Sequence, residues 1–370
     1  MTDITNAYQP RRVSPPGGTL QDVLDERGMA QNELAERTGL STKAINEIVK
    51  GKMAITPGTA LKFERALGMA AEFWLAREQH YQEWLARQRA QEELAGAVDW
   101  VRTIPLRALV AHGFVRECKS KVEQVGELFR FFGVASRGAW EEVYASPQAA
   151  FRRSRAFECD VGATAAWLRV GELQAQSIKA DAYRADRFRQ ILKEAVGMTR
   201  KPFGRVAGQL KESCASAGVA VVYVLEIKGC RASGVTRWLS PTKALIQLSD
   251  RYKSEDHFWF TFFHEAGHIL LHRKKDVFIE GGGTDTEQER EADRFAQELL
   301  IPSSEYAKLR GRAGAGLTST AVQGFAAEVG VAPGIVVGRL QHDKLLRFDR
   351  LNDLKARLEL PVVSQAAATR

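Results

Sequence analysis

Long apolar runs are missing from this chain of 370 residues. None approaches the roughly 20 residues that a membrane-spanning helix needs, so no membrane partner is expected. Residues 1–17, MTDITNAYQPRRVSPPG, also lack the apolar core of an export signal and read as a flexible arm. Cysteine is scarce: Cys118, Cys159, Cys214 and Cys230 are scattered, and no CxxC pair occurs. That argues against a disulfide framework and against cysteine metal ligands, and points to reduced thiols in the cytoplasm. An acidic excess is absent too. The net charge of +8 suggests an anionic partner. The positive excess is local, however: residues 101–200 hold 17 Lys+Arg against 11 Asp+Glu, whereas residues 1–95 hold 12 against 13.

What the chain does have is one dense apolar stretch with ionisable groups inside it, HFWFTFFHEAGHILLH over residues 257–272. It contains an HExxH pattern, His264-Glu265-Ala266-Gly267-His268. On a helix, positions four apart share a face, so both imidazoles can aim at one point where a tetrahedral zinc ion fits. Glu265 is turned slightly round the helix, close enough to take a proton from water without being a ligand. The surrounding Phe258, Phe260, Phe262, Phe263, Ile269, Leu270 and Leu271 predict a mostly buried helix. Burying two histidines and a glutamate together is costly unless they are paired or bind a metal.

A catalytic zinc site needs a third protein ligand. TEQEREADRFAQELLIP, residues 286–302, reads as a second helix with an apolar stripe of Ala292, Phe295, Ala296, Leu299 and Leu300. Glu291 is expected to border the stripe and reach inward, with Glu287 and Glu289 as alternatives. Asp293 could accept a hydrogen bond from a ligand imidazole and fix its tautomer.

HEAGHILLH followed by EREADRFAQELLIP resembles the ImmA/IrrE family of metallopeptidases, over about residues 200–345. The resemblance implies a small sheet packed on the HExxH helix. It implies His264, His268 and Glu291 as zinc ligands and Glu265 as general base. It also implies narrow-specificity cleavage of a helix-turn-helix repressor, often under stress or in mobile elements.

The N-terminal part carries a second pattern. In QNELAERTGLSTKAINEIVKGKMAIT, residues 31–56, Leu34 and Ala35 mark a short helix and Gly39 a turn. Ser41 or Thr42 caps a second helix with Ile45, Ile48 and Val49 inside. Thr19 is expected to cap a preceding helix, and Thr56-Pro57 to start a following one. In such a unit the second helix enters the major groove. Thr42, Lys43 and Asn46 are then expected at base edges, and Gln31, Ser41, Lys50 and Lys52 at phosphates. Residues 15–90 are similar to HigA-type antitoxins of the Xre-like helix-turn-helix group. That resemblance implies a dimerisation helix opening at AEFWL and lined by Phe73, Trp74, Leu75, Tyr81, Trp84 and Leu85.

Between these patterns, residues 104–200 read as helical, with a basic cluster FRRSRAF at 151–157. Strands are expected at 218–227, 234–240 and 243–249, with a hairpin at Pro241, an edge strand at 276–281 and a Gly281–Gly283 loop. Residues 320–346 read as a core-capping pair of helices. The expected fold class is mainly α with a small β-sheet (α+β). The expected divisions are a five-helix domain over 18–98, a helical middle domain over 99–202, a zincin-like α+β domain over 203–346 and a tail over 347–370. The functional expectation is an antitoxin-like regulator that binds operator DNA as a homodimer. Its zinc peptidase would cut a repressor, a toxin or the chain itself. The alternative is a HigA-like repressor whose peptidase-like part binds a toxin or ligand without cutting.

Overall fold

The computed structural model describes residues 13–145, 160–272, 278–280, 286–312 and 317–361. The basic cluster at 151–157 and the glycines at 281–283 lie outside the described residues. The chain divides into two compact units, Met1–Gly96 and Ala97–Arg370.

In the first unit, α1 (Pro16–Glu26), α2 (Gln31–Thr38), α3 (Thr42–Val49) and α4 (Pro57–Leu67) lead to the long α5 (Ala71–Gly96). Gly39 adopts a left-handed φ of 63°, which makes the tight turn between α2 and α3. The Ser41 hydroxyl accepts from the Ala44 amide and Thr56 accepts from Thr59, so both expected caps form. The cap expected at Thr19 does not. The cap position of α1 is Pro15, four residues earlier, and the fixed φ of Pro16 suits the first helical turn. Thr19 instead accepts from Arg77 Nη2 of α5 at 3.1 Å. Leu20, Leu24, Leu34, Ile45, Ile48, Phe63, Leu67 and Trp74 form the buried core.

In the second unit, a 3₁₀ turn (Val98–Thr103), α6 (Leu106–Ala111), α7 (Lys121–Phe132) and α8 (Arg137–Trp140) precede α9 (Val161–Ser177). Then come α10 (Ala185–Met198), α11 (Phe203–Ala215), β1 (Val219–Tyr223), β2 (Gly234–Ser240) and β3 (Lys243–Leu248). Helix α12 (Glu255–Leu271), strand β4 (Phe278–Glu280), α13 (Glu287–Leu300), α14 (Ser303–Arg312), α15 (Ser319–Val329) and α16 (Pro333–His342) complete it. The sheet order is β1-β3-β2-β4, with β1 parallel to β3 and the other neighbours antiparallel. The hairpin at Pro241 and the edge strand thus form as expected.

Helices cover both faces of this sheet. Alternate residues of a strand point to opposite faces. Ala244, Ile246 and Leu248 of β3 share a core with Phe258, Phe262 and Phe263 of α12. On the other face, Gln247 Nε2 donates to the Trp167 carbonyl of α9 at 2.7 Å, and Lys243 Nζ donates to Ala175 and Ile178. The residues expected as a middle domain over 99–202 therefore share one unit with the sheet through α9. The start of the expected tail returns to the second unit. Arg357 bridges Ser254, Lys355 pairs with Asp256 at 2.8 Å, and Leu358 is buried. Among the described residues no single helix is long and apolar enough to cross a membrane.

Two neighbouring glycines test the packing of the first unit. A methyl group on Gly17 would stand 1.9 Å from the Ile48 carbonyl oxygen, whereas one on Gly18 meets nothing within 4 Å. Gly17→Ala is expected to destabilise this unit by ~1–3 kcal/mol through overpacking. Gly18→Ala is expected to stabilise it by about 0.5–1 kcal/mol through helix propensity. Urea denaturation of the full chain followed by circular dichroism checks the opposite signs.

Candidate metal centre

Helix α12 carries the acidic pair Glu255 and Asp256 in its first turn, the favourable end for negative charge in the helix dipole. It is then buried almost all round, which its run of aromatic residues requires. His264 and His268 are each 2% exposed and Glu265 is fully buried. The Thr236 hydroxyl of β2 donates to the Glu265 carbonyl oxygen at 3.0 Å, tying the helix to the sheet at this residue. Gly234 of the same strand leaves room for the Glu265 carboxylate, since a methyl group there would stand 2.6 Å from Oε1.

His264 Nε2 and His268 Nε2 face each other at 3.0 Å. The third group is Glu289, whose Oε2 lies 3.1 Å from His264 Nε2 and 3.6 Å from His268 Nε2. Donors about 2.0–2.2 Å from a tetrahedral zinc ion stand roughly 3.3–3.6 Å from one another. The three side chains therefore converge with the spacing and donor chemistry that zinc takes. Asp293 Oδ1 lies 2.8 Å from His264 Nδ1, in the position that orients the ring, as expected from the sequence.

Glu291, expected as the third ligand, is elsewhere. Its Oε2 lies 3.1 Å from His272 Nε2, and His272 Nδ1 in turn lies 2.9 Å from His268 Nδ1. The reason is helical phase. Ala292, Ala296 and Leu300 are the buried residues of α13. Glu289 stands three and seven residues before the two alanines, in the middle of their stripe. Glu291 stands one residue before Ala292, about 100° round the helix. The closing of α12 on α13 puts the stripe, and Glu289 with it, over the histidines. His272 was also missed, although it continues the four-residue spacing of His264 and His268.

Protonation states suit a metal. Burial alone would raise the Glu289 carboxyl, but hydrogen bonds from His264 and His268 outweigh it and bring it to about 2. Burial lowers the His268 imidazole, against an opposing pull from Glu289. An ionised carboxylate and a neutral imidazole are the forms that bind metal.

In the first unit the expected DNA-facing residues gather around α3. Thr42 and Lys43 are exposed on its first turn, and Asn46 is half-buried one turn on. Lys50 and Lys52 are exposed just beyond its end. The Ser41 hydroxyl is engaged as the cap, and Gln31 Nε2 donates to Gln21 Oε1 at 2.8 Å. On α5, Trp74 is fully buried in the core while Phe73 is 38% exposed. Tyr81 and Trp84 stack half-buried beyond it.

A helix-turn-helix unit joined to a unit with a convergent His–His–Glu site defines a two-part class of protein, and comparisons with known proteins agree. The Helix-turn-helix family model matches residues 20–74, and the IrrE N-terminal-like domain model matches residues 222–341. Virulence-associated protein A of Dichelobacter nodosus is 34% identical over 84 residues, 22% of this chain and 78% of that protein. Antitoxin HigA-1 of Vibrio cholerae is 32% identical over 72 residues, 20% of this chain and 68% of that protein. An uncharacterised helix-turn-helix transcriptional regulator of Escherichia coli, YddM, is 30% identical over 60 residues, 16% of this chain and 64% of its own. The solved addiction-module antidote protein of a HigA family from Coxiella burnetii is 27% identical. It covers 23% of this chain and 94% of that one, with a TM-score of 0.22. The chain belongs to the HigA-like helix-turn-helix family through its first unit and carries an IrrE N-terminal-like domain in its second.

Substitutions separate the two glutamates. Glu289→Ala is expected to lose metal almost completely, and Asp293→Ala to weaken binding by about 10–100-fold. Glu291→Ala is expected to bind much like the wild type, as read by competition with a chelator. Equal losses for Glu289 and Glu291 would count against the assignment. The pH dependence follows from the shifts. With His268 lowered and Glu289 held at about 2, proton competition at these two groups sets in only on the acid side of the ordinary imidazole range. Bound metal measured against pH is expected to stay constant from pH 7 downward until that range is passed, and then fall.

Proposed function

We propose that this chain is a DNA-binding, antitoxin-like regulator whose second unit is a zinc endopeptidase. The observation that carries the reading is the convergence of His264, His268 and Glu289 beside the buried Glu265. Zinc held by those three would polarise a carbonyl and make water nucleophilic near neutral pH. Glu265 then takes the proton of the attacking water and passes it to the leaving amine. Burial holds its carboxylate in one place against the strand carrying Gly234 and Thr236. His264 is held in one ring orientation by Asp293, so its Nε2 stays aimed at the ion.

The substrate is a regulatory protein: a partner repressor or toxin, or this chain itself. Operator DNA is read by Thr42, Lys43 and Asn46, with Gln31, Ser41, Lys50 and Lys52 at the backbone. A homodimer through α5 presents two such helices to two half-sites about one helical turn apart. Cutting the regulatory protein would change occupancy of the operator in the cytoplasm, where scattered cysteines stay reduced. The matched relatives, among them a protein named as an antitoxin, support the DNA-binding half, and the IrrE N-terminal-like match supports the peptidase half.

The test pairs the wild type with Glu265→Gln. Each is loaded with zinc and incubated with operator DNA and candidate partner proteins. The expected result is about one metal per chain in both, with discrete fragments from the wild type and a loss of at least ~100-fold in rate for the variant. Metal in both without fragments from either would favour the alternative, a repressor that binds a toxin or ligand without cutting it.

A further inference from the structure

A cavity of about 430 Å³ lies between the N-terminal half of α12 and the C-terminal half of α13. Its lining on α12 includes His257, Phe260 and Thr261, and on α13 Gln297, Leu300 and Ile301. These residues lie on the N-terminal side of His264 in one helix and the C-terminal side of Asp293 in the other. The Phe260 and His264 rings are only 6.3 Å apart between centroids. Phe260 lies one turn before His264 on the same face of α12, and Thr261 shares its approach to Gly234 with the Glu265 carboxylate, so the cavity wall adjoins the residues beside the converging histidines.

Its far wall is the chain after α16. Gln341 Nε2 donates to the carbonyls of Phe348 and Arg350 and to Asn352 Oδ1, and Asn352 Nδ2 donates back to the Phe348 carbonyl. This fixes the segment while leaving Phe348 73% exposed; Tyr252, which also lines the cavity, is 50% exposed. Two large exposed aromatics on held backbone at one opening are a costly surface for an unoccupied protein.

The charges around the cavity are already matched. Asp256 pairs with Lys355 at 2.8 Å. Arg339 donates to Asp343 at 2.9 Å, and His342 also meets Asp343 at 2.9 Å. His257 stacks on Tyr252 with centroids 4.5 Å apart. A charged occupant would find no free opposite charge among these groups and would lose its hydration. A neutral apolar one would gain burial on Leu300, Ile301 and Ile335.

We propose that this cavity is a specificity pocket that takes one large neutral apolar side chain, Phe, Tyr, Leu or Met, from the polypeptide being cut. The proposal rests on the peptidase reading above. The four residues from Phe260 to His264 span about 6 Å of helix. An extended substrate covers that distance in about two residues. The recognised side chain therefore lies within about three residues of the broken bond.

The test has two arms, both on the zinc-loaded full chain. The first needs no cleavage: N-acetyl-phenylalanine amide and N-acetyl-glutamate amide are titrated in and chemical shifts are followed. Saturable binding of the first, at least about tenfold tighter than the second and weakened about tenfold by Gln297→Trp, supports the pocket. Phe348→Ala, at an exposed position that does not endanger folding, should weaken it severalfold. Equal binding of the two amides, no binding, or indifference to both substitutions would overturn the proposal. The second arm maps the bonds cut in partner proteins by mass spectrometry. A large apolar residue at one fixed position within about three of each bond, with Gln297→Trp shifting cleavage toward small residues there, supports it. Cut sites without such a residue would overturn it. If the wild type cuts nothing, the peptidase reading fails, and the first arm alone decides whether the pocket binds apolar side chains.

Discussion

The second unit depends on how closely α12 and α13 approach. At their crossing a methyl group on Gly267 would stand 3.1 Å from Phe295 Cδ1 and 3.3 Å from Ala292 Cα. Packed helices usually keep their axes 8–10 Å apart according to the side chains between them. A glycine facing an alanine allows the near end of that range. Only then does a short carboxylate such as Glu289 reach two imidazoles at 3.1 and 3.6 Å. The same crossing brings Asp293 to His264 and His272 to Glu291. One small residue inside the HExxH motif therefore sets the geometry of both sides of the site.

The sheet serves that crossing from behind. With α9 on one face and α12 on the other, β3 is buried on both sides, as its apolar Ala244, Leu245, Ile246 and Leu248 suggest. The buried polar Gln247 is tolerated because it donates to the Trp167 carbonyl. Gly171 of α9 packs directly on that side chain. On the α12 side, Gly234 and Thr236 receive the buried Glu265. The rigidity of this layer keeps the Glu265 carboxylate and the His264 and His268 imidazoles in fixed relation, which a site built on loops could not do as well.

Much of this was legible because it follows local rules. The caps at Ser41 and Thr56, the turn at Gly39 and the hairpin at Pro241 depend on a few adjacent residues. The HExxH helix announces itself by an apolar run too aromatic to be exposed. What was not legible depends on contacts distant in the chain. The cap of α1 falls at Pro15 rather than Thr19, and the Thr19 hydroxyl is met by Arg77, far along α5. The packing of α9 on the sheet joins residues about 80 apart through Gln247 and Trp167. The return of Lys355 and Arg357 to the start of α12 could not be read from a polar C-terminal stretch. Which glutamate stands beside the two imidazoles was closer to reach. Counting helical phase from Ala292 and Ala296 favours Glu289 over Glu291, and it was the adjacency of Glu291 to Ala292 that misled.

Anomalous scattering from crystals of the full chain grown with zinc tests the central claim most directly. The account predicts one strong peak about 2.0–2.2 Å from His264 Nε2, His268 Nε2 and a Glu289 oxygen. A peak held by Glu291 and His272 instead, or none between the two histidines, would contradict it.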